Sequence, residues 1–471
     1  MYYDFTWNDN DELRAVRRAV KNNKKKKKFI MGPRFKYGVQ IPRNAKEAYE
    51  LDKANGNDFW AQAIKKEINA LVDDLKCFEF KPAGETPGPG YQRTTLVMIF
   101  DVKHDLRHKA RLVAGGHLVD VLDNSVYSST VKTISVHLLH VIAHKHKLEQ
   151  LCGDVGNAFV NAYTNEKVFA IAGPEFGKEQ EGQVVIIVKA LYGLATSAER
   201  WHSHFADFLR SLGFRATRYD QDVWFRTAKD GKSYEYICTH VDDFMIVAKE
   251  PKPIMKCIQD SFTVKSVGPP DYYLGNDYKK DSKGHWNVGC KKYLSEALSK
   301  VQEMFGPISK ESTPLPSNDH PEEDTSEILN AHKHRRFQML IGMLNWIVSI
   351  GRFDVAYAVA SMARFVACPR EGHLKRAVRI FGYLKKHPNR RIKIDSRDPE
   401  YVGSEEVWKV DLSLELQGCY PDAFEEIDTK LPKPLVPEMD ITVLVDSDHA
   451  HDKVTRRSIT GLLIFLGRTP V

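Results

Sequence analysis

The sequence predicts an α+β fold built from β-hairpins and amphipathic helices. Its clearest hairpin is Tyr234–Ala248, in which two runs of β-branched and aromatic residues flank a pair of aspartates. A second strand pair covers Thr95–Lys103 and His108–Val113. Toward the C-terminus, apolar residues recur at helical spacing through residues 337–385. Strands and helices are therefore both expected.

The size and composition of the chain limit which classes of protein it can belong to. Its 471 residues exceed one ordinary core, so roughly two to four domains are expected. A net charge of +7 suits a polyanionic partner without requiring one. The seven cysteines form no CxxC pair, so neither a zinc knuckle nor a disulfide framework is indicated. No apolar run approaches the ~20 residues that span a bilayer, and the N-terminus lacks signal-peptide character.

Residues 1–56 are predicted to be a basic flexible extension. The run Lys24–Lys28 lies in this segment, which is the most basic part of the chain. It is interpreted either as a nuclear-import or nucleic-acid-binding arm or as a solvated tail. We expect globular order to begin at Asn57-Asp58, which can cap a helix that carries Trp60 inward.

The hairpin places Asp242 and Asp243 at its tip, where a turn tolerates Asp. Two adjacent carboxylates repel each other, and a divalent cation would remove that penalty because hard cations bind carboxylate oxygens. On local sequence alone, a solvated Asp-Asp turn is the alternative. A short strand also leads to Asp154.

Two further segments carry charged or titratable residues. Lys109 and Arg111 alternate with apolar residues, so both cations share one strand face, which could grip a triphosphate or simply be solvated. Residues 130–147 are predicted to form a helix whose four histidines occupy surface or helix-end positions. Its expected inward residues are Ile134, Leu138, Val141 and Ile142.

A series of ordered motifs, rather than any one motif, carries a family resemblance. From about Asp58 to the C-terminus the chain resembles the reverse transcriptase region of a copia-type LTR retrotransposon polyprotein. The motifs are FWAQAIKKEINAL, HKARLVAGG, DVGNAF, KALYGL with SAERWH, HVDD, YYLG, IGMLNWIVSIGRFDVAYAVASMARF and VDSDHA followed by TRRSITG.

The resemblance implies a right-hand polymerase with fingers, an antiparallel palm sheet and a thumb, followed by an incomplete RNase H-like fragment. The implied domains are fingers and palm at 57–250, a primer-positioning hairpin with helix and linker at 251–320, a helical thumb or connection at 321–393, an irregular linker at 394–440, and a truncated RNase H-like hairpin at 441–471.

By the same resemblance, Asp154 lies beside Asp242 and Asp243 in the palm. These three carboxylates would hold two Mg²⁺ ions, with Mn²⁺ as a substitute, for phosphoryl transfer. Asp154 and Asp242 are the implied primary ligands and Asp243 has a supporting role.

The resemblance implies two further sets of site residues. Those for the nucleotide are Lys109, Arg111, Phe159, which crowds the sugar 2′ position, and Gly193, which lies under the templating base. Those that position the primer are Tyr273, Leu274 and Gly275. A basic helix around Arg376–Lys386 would follow the duplex backbone.

The chain also departs from the family pattern. His240 replaces a usual Tyr, Ala195 stands where Lys is common, and His449 stands where Trp is usual. Asp446 would be the first carboxylate of the RNase H-like fragment, a vestige for which we expect no RNase H activity.

The sequence therefore predicts an RNA-directed DNA polymerase that uses an RNA or DNA template, a primer and dNTPs. The alternatives are an inactive retroelement remnant that binds nucleic acid and a protein that keeps only the fold. No membrane partner is expected, while a capsid particle or a dimer partner stays open. The expected location is the cytoplasm, within virus-like particles, with nuclear access as a further option.

Overall fold

A computed structural model describes residues 32–398 and 441–471 apart from positions 83, 104 and 121–125, together with positions 432, 435 and 439. The run Lys24–Lys28 and most of the predicted linker at 394–440 lie outside the described residues.

Short and medium strands occur throughout the described part of the chain. They are β1 (Arg34–Lys36), β2 (Val39–Ile41), β3 (Phe78–Phe80), β4 (Gln92–Arg93), β5 (Leu96–Val102), β6 (His108–Ala114), β7 (Glu149–Val155), β8 (Tyr163–Ile171), β9 (Val184–Lys189), β10 (Arg215–Ala216), β11 (Val223–Thr227), β12 (Tyr234–His240), β13 (Asp243–Ala248), β14 (Val264–Gly268), β15 (Tyr272–Tyr273), β16 (Asn276–Lys280), β17 (Trp286–Gly289), β18 (Ile392–Lys393), β19 (Ile441–Ser447), β20 (Thr460–Leu466) and β21 (Thr469–Pro470).

The α-helices among the described residues are concentrated before β3 and after β14. They are α1 (Ala45–Asn55), α2 (Phe59–Asn69), α3 (Thr133–His146), α4 (Ser197–Ser211), α5 (Pro251–Ser261), α6 (Lys291–Phe305), α7 (Ala331–Ser349), α8 (Ala356–Ala363) and α9 (Glu371–Lys386). The predicted α+β class is confirmed.

The chain forms two compact units that differ in their secondary structure. The first unit comprises the described residues up to Val126 together with Phe159–Arg200, and the second comprises those of Tyr127–Ala158 and Trp201–Val471. The predicted fingers-and-palm region at 57–250 therefore contributes to both units.

The described part of the first unit contains helices and three sheets, one of which is the hairpin of β1 and β2. Its four-stranded sheet has the order β3-β9-β8-β4, and β5 and β6 form a separate antiparallel pair. The helix α2 buries Trp60 and Ile64, as its helical spacing predicts, in one core with Leu112 and Ile187. The predicted strand face is also present, because Ala110 and Leu112 are buried while Lys109 and Arg111 lie on the other face.

Regular structure in the first unit begins earlier than predicted. The hairpin β1–β2 and the helix α1 lie in residues 34–55, which were expected to belong to a flexible extension. The carboxylate of Asp52 is buried and accepts hydrogen bonds from the backbone N–H groups of Trp60 (3.1 Å) and Ala61 (2.8 Å). This residue therefore satisfies the first turn of α2, whereas Asp58 makes no side-chain capping bond.

The second unit is organised around an antiparallel six-stranded sheet with the order β10-β11-β12-β13-β7-β14. The predicted antiparallel palm sheet is thus present. Strands β15, β16, β17 and β18 form a second sheet, and β19, β20 and β21 form a third.

The inward face of the helix α3 agrees only in part with the predicted one. Val141 is buried as predicted, but Ile134 is 50% exposed, and Val136, Leu139 and both His137 and His140 are buried. The expectation that these two histidines lie at the surface was wrong. Burial lowers the pKa of His137 to about 4 and that of His140 to about 3, so both rings are neutral at pH 7.

The helices α6, α7, α8 and α9 share a second apolar core. Phe337, Leu340 and Leu344 of α7 pack there with Ile380 and Phe381 of α9, in agreement with their helical spacing. Among the described residues, every helix is too short or too polar to cross a bilayer.

Candidate active site

The hairpin β12–β13 turns through two residues, and its four residues His240–Asp243 are called the Asp turn below. His240 pairs with Asp243 across the hairpin, which leaves Val241 and Asp242 as the central residues. Val241 has a φ of +59°. Two-residue hairpin turns require a positive φ at the first central position. Asp242 therefore lies at the tip, while Asp243 begins β13.

Backbone pairing brings the predicted third carboxylate to the same place. The strand β7 pairs with β13 so that Asp154 lies directly opposite Asp243. The N–H of Val155 donates a hydrogen bond of 2.8 Å to the carbonyl of Asp242. Directly opposed residues in an antiparallel pair have Cβ atoms about 4.5–5.5 Å apart. Asp154, Asp242 and Asp243 are therefore neighbours at one end of the sheet.

Gly153 explains why β7 can lie so close to its neighbours. It faces Phe244 across the strand pair, and an added Cβ would lie 2.7 Å from the Phe244 ring and 2.9 Å from a methyl group of Val264. A side chain at this position would force the strands apart. The glycine preceding Asp154 thus preserves the register that aligns the carboxylates.

The three carboxylates repel one another. Partial burial and the charges of Asp242 and Asp154 raise the pKa of Asp243 to about 6, although its side chain still reaches solvent. A group of three carboxylates fits a divalent cation, because hard cations bind carboxylate oxygens. In the described part of the chain, no three His, Cys, Asp or Glu side chains already converge as a metal-binding group.

Lys265 is a residue near the carboxylates that sequence reasoning missed. It lies opposite Asp154 on the other side of β7, and its amine lies over the backbone of Gly156. Asp154 therefore has an acidic neighbour on one strand and a basic neighbour on the other. Nothing in the local sequence around Lys265 predicts this pairing, because 111 residues separate the two side chains.

In the first unit, Tyr192 joins two of the predicted nucleotide-binding residues. The guanidinium of Arg111 lies 4.4 Å from the centre of the Tyr192 ring. The ring of Phe159 is tilted against the same tyrosine, with 5.2 Å between ring centres. Arg111, Tyr192 and Phe159 are called the arginine–aromatic cluster below. Tyr192 was missed because its LYGL segment has no periodicity that marks a stacking residue.

An acidic residue on α2 accompanies these cations. Glu67 accepts a hydrogen bond from the N–H of Leu112 at 3.2 Å. Burial raises its pKa, while the positive charges of Arg111 and Lys109 oppose the shift. Burial and the charge of Arg111 lower the pKa of Lys109 in turn. Lys109 thus lies in the same charged group as Arg111, outside the aromatic stack.

The conformation of Gly193 has a structural explanation independent of nucleic acid. Its φ is +96°, and an added Cβ would lie only 2.1 Å from the carbonyl oxygen of Ala114. The N–H of Ala114 also donates a 2.7 Å hydrogen bond to the carbonyl of Tyr192. Close approach to β6 therefore requires glycine, and the predicted contact under the templating base stays a prediction.

The predicted primer-positioning residues form the turn between β15 and β16. Leu274 and Gly275 have positive φ values of 50° and 84°, as a two-residue hairpin turn requires. Tyr273 is buried, and its hydroxyl group lies 3.7 Å from the sulfur of Cys238. The neighbouring Tyr272 is 46% exposed, so it is the more accessible aromatic ring of this hairpin.

The basic helix that was predicted to follow a duplex has different surroundings from those expected. Arg376 forms ion pairs with Asp319 and Asp324, and Arg379 forms one with Glu311. These internal pairs neutralise cations that were expected to follow a duplex, and Lys386 remains exposed on α9. Asp446 lies on β19 opposite Gly461, and its assignment to an RNase H-like fragment stays a prediction.

One family profile matches a segment that contains both the three carboxylates and the arginine–aromatic cluster. Residues 93–314 match the family profile described as "Reverse transcriptase (RNA-dependent DNA polymerase)". This segment is similar to the reverse transcriptase family. The matched residues include Asp154, Asp242 and Asp243 as well as the arginine–aromatic cluster.

Relatives of this chain are transposon proteins, and the predicted resemblance to copia-type polyproteins is confirmed. A transposon Ty5-1 protein of Saccharomyces cerevisiae is 28% identical, over 49% of this chain and 74% of its own. The retrovirus-related Pol polyprotein from transposon RE1 of Arabidopsis thaliana is 26% identical, over 77% of this chain. This chain spans only 25% of that polyprotein's length.

A solved structure of the foamy viral protease-reverse transcriptase in complex with double-stranded DNA also aligns with the chain. The alignment covers 69% of this chain and 48% of the viral one, at 12% identity and a TM-score of 0.39.

Proposed function

We propose that this chain is an RNA-directed DNA polymerase that adds dNTPs to the 3′-hydroxyl of a primer. The observation that carries the proposal is the opposition of Asp154 and Asp243 across two paired strands, next to Asp242 at the hairpin tip. Burial and the charges of its two neighbours raise the pKa of Asp243, so the three carboxylates are costly unless a cation or a proton neutralises them. In a polymerase, metal ions bound with the substrate phosphates would offset the repulsion among the carboxylates.

Asp154 and Asp242 are the proposed metal ligands, and Asp243 supports them. When bound, two Mg²⁺ or Mn²⁺ ions would stabilise the attacking and leaving oxygens of an in-line displacement. The register of β7 and β13 holds Asp154 and Asp243 in place, and the bond from Val155 to the Asp242 carbonyl holds the tip. In the reaction, the primer oxygen forms a bond to the α-phosphorus, the bond to pyrophosphate breaks, and the hydroxyl proton leaves to solvent.

Residues of the first unit are proposed to bind the incoming nucleotide. Arg111 and Lys109 would contact the triphosphate, since a guanidinium forms bidentate bonds to phosphate oxygens. Tyr192 would hold the Arg111 side chain in one orientation through the stack seen in the structure. Phe159 would exclude a sugar that carries a 2′-hydroxyl.

Primer extension on an RNA template with Mg²⁺ tests the proposal. Wild-type protein should extend a labelled DNA primer with dNTPs, and Asp242→Asn should reduce extension at least about thousandfold because it removes a charged ligand. Primer–template binding, measured by fluorescence anisotropy, should be unchanged. Asp260→Asn is the matched control, since it removes a carboxylate from the exposed side of α5.

Binding of primer–template by the wild type without any extension would contradict the proposal and favour the inactive remnant. Loss of both binding and extension would favour the second alternative, a protein that keeps only the fold. We also propose that the chain acts in the cytoplasm within virus-like particles, because relatives such as a Ty1 protein of yeast are Gag-Pol polyproteins.

A further inference from the structure

The Asp turn contains a residue in an unfavourable backbone conformation. Val241 has a φ of +59°, although a β-branched side chain makes this region costly. Such a conformation persists only where surrounding contacts hold it. The peptide that follows Val241 carries Asp242, so any rotation of this peptide moves a proposed metal ligand.

The carbonyl of Val241 is held by a buried tryptophan. Trp201 lies in α4 and is 2% exposed, and its indole N–H donates a hydrogen bond of 2.6 Å to that carbonyl. The ring is stacked on Phe205, with 5.2 Å between ring centres and 17° between planes. Phe262 contacts it edge-on at 5.6 Å. Because aromatic rings hold the indole on two sides, its donor has a fixed direction.

The indole is also connected to β7 through a chain of contacts. Phe262, which contacts the indole, lies two residues before the start of β14, and β14 pairs with β7 through Val264 and Val155. The N–H of Val155 in turn donates to the carbonyl of Asp242. The carbonyls of both central turn residues are therefore hydrogen-bonded, one by the backbone of β7 and the other by Trp201.

We propose that Trp201 is a positioning residue for the Asp turn, whose indole N–H keeps the Val241 peptide in the orientation that directs Asp242 toward the metal ions. This inference rests on the proposed function, because it assigns Trp201 a role at the same carboxylates. Trp201 acts through Val241 and touches no reacting atom. The helix α4 thereby contributes to the site through one hydrogen bond.

Trp201→Phe removes the N–H donor and keeps an aromatic ring. Loss of a hydrogen bond to this partly buried carbonyl corresponds to about a tenfold effect. We therefore expect about a tenfold weaker Mn²⁺ affinity, measured by electron paramagnetic resonance, and a similar fall in the single-turnover extension rate. Trp224→Phe is the matched control: Trp224 is as buried as Trp201, but it lies on β11 and its ring is 5.4 Å from the guanidinium of Arg210.

A second variant separates positioning from general stability. Glycine adopts a positive φ without steric cost. In Val241→Gly, the turn conformation should therefore depend less on the hydrogen bond from Trp201. In the Val241→Gly background, Trp201→Phe should change Mn²⁺ affinity by less than about threefold. Equal effects in both backgrounds, or an equal loss in Trp224→Phe, would overturn the proposal.

The Mn²⁺ titration distinguishes failure of this inference from failure of the proposed function. If the wild type binds Mn²⁺ but never extends a primer, polymerase activity fails while the Trp201 comparison can still be read. If Trp201→Phe does not fold, benzothienylalanine at position 201 replaces the N–H with sulfur and keeps the ring shape. Unchanged Mn²⁺ affinity in that variant would refute the role of the hydrogen bond.

Discussion

In the second unit, backbone hydrogen bonds between strands hold three like-charged carboxylates together, whereas in the first unit a side-chain stack orients a cation. Asp154 and Asp243 are opposed because β7 and β13 are paired, and their side chains cannot move apart along the sheet. Arg111 instead lies against Tyr192, which also contacts Phe159. The acidic group is thus fixed by register and the basic group by packing, so the two should respond differently to substitution.

Removal of the Phe159 ring should produce the largest change in the first unit. Phe159→Ala should raise incorporation of rNTPs relative to dNTPs by about a hundredfold, because a pocket that lacks the ring no longer rejects the 2′-hydroxyl sterically. Steady-state kinetics with one rNTP and its matching dNTP measure the ratio. Tyr192→Leu is the control that removes the stacking partner and keeps the Phe159 ring. An unchanged ratio in Phe159→Ala would exclude the predicted sugar-gate role.

Substitution of Arg111 should have an intermediate effect on substrate binding. Arg111→Ala should raise KM for dNTP about tenfold, since a charge-assisted contact to the triphosphate is lost. Arg111→Lys should recover only part of this loss, because lysine cannot reproduce the planar stack on Tyr192. Lys65→Ala, which removes an exposed cation from α2, serves as the control. A full rescue by lysine would show that only the charge at position 111 matters.

The smallest expected effect is on the free energy of unfolding. Most substitutions lower it, but this one should raise it. The pKa of Asp243 is raised from 3.8 to about 6, so ionisation of this carboxyl opposes folding above pH 6. Asp243→Asn should therefore stabilise the metal-free protein by about 1 kcal/mol at pH 8, after allowance for solvent screening. The gain should shrink as the pH falls through 6 and vanish below about 4.

Urea denaturation in the presence of a chelator, at pH 8 and at pH 4, measures this difference. Added Mg²⁺ should reduce the gain, because a bound cation stabilises the wild-type carboxylates. Asp260→Asn, on the exposed side of α5, should change stability little at either pH. A destabilised Asp243→Asn at pH 8 would mean that repulsion among the carboxylates is already relieved.

The features predicted correctly from the sequence are those that local patterns determine. The strand pair Leu96–Val102 and His108–Ala114 follows from alternation, which also places Lys109 and Arg111 on one face. The hairpin around Asp242 follows from two β-rich runs. The proximity of Asp154 could be predicted only from family resemblance, since no local pattern pairs strands this distant in sequence.

The features that were missed depend on contacts between distant segments. His140 lies on a helix whose apolar residues allow more than one inward face, and packing against Tyr278 selects the face that buries the histidine. Asp52 caps α2 from a preceding helix, so its role is invisible in the α2 sequence itself. In the sequence, Trp201 is one of several apolar residues of α4. Only the fold shows that its N–H donates a hydrogen bond to Val241.

The pairing of β7 with β13 has a consequence for how this chain tolerates changes in length. Successive side chains of a strand point to opposite faces, so inserting or deleting one residue within Glu149–Asp154 would turn the carboxylate of Asp154 to the other face of the sheet. The composition would hardly change, yet the acidic group would lose a member. Loops such as residues 84–91 face no such restriction. Frame-preserving insertions and deletions should therefore accumulate in the loops of this sequence and be excluded from its central strands.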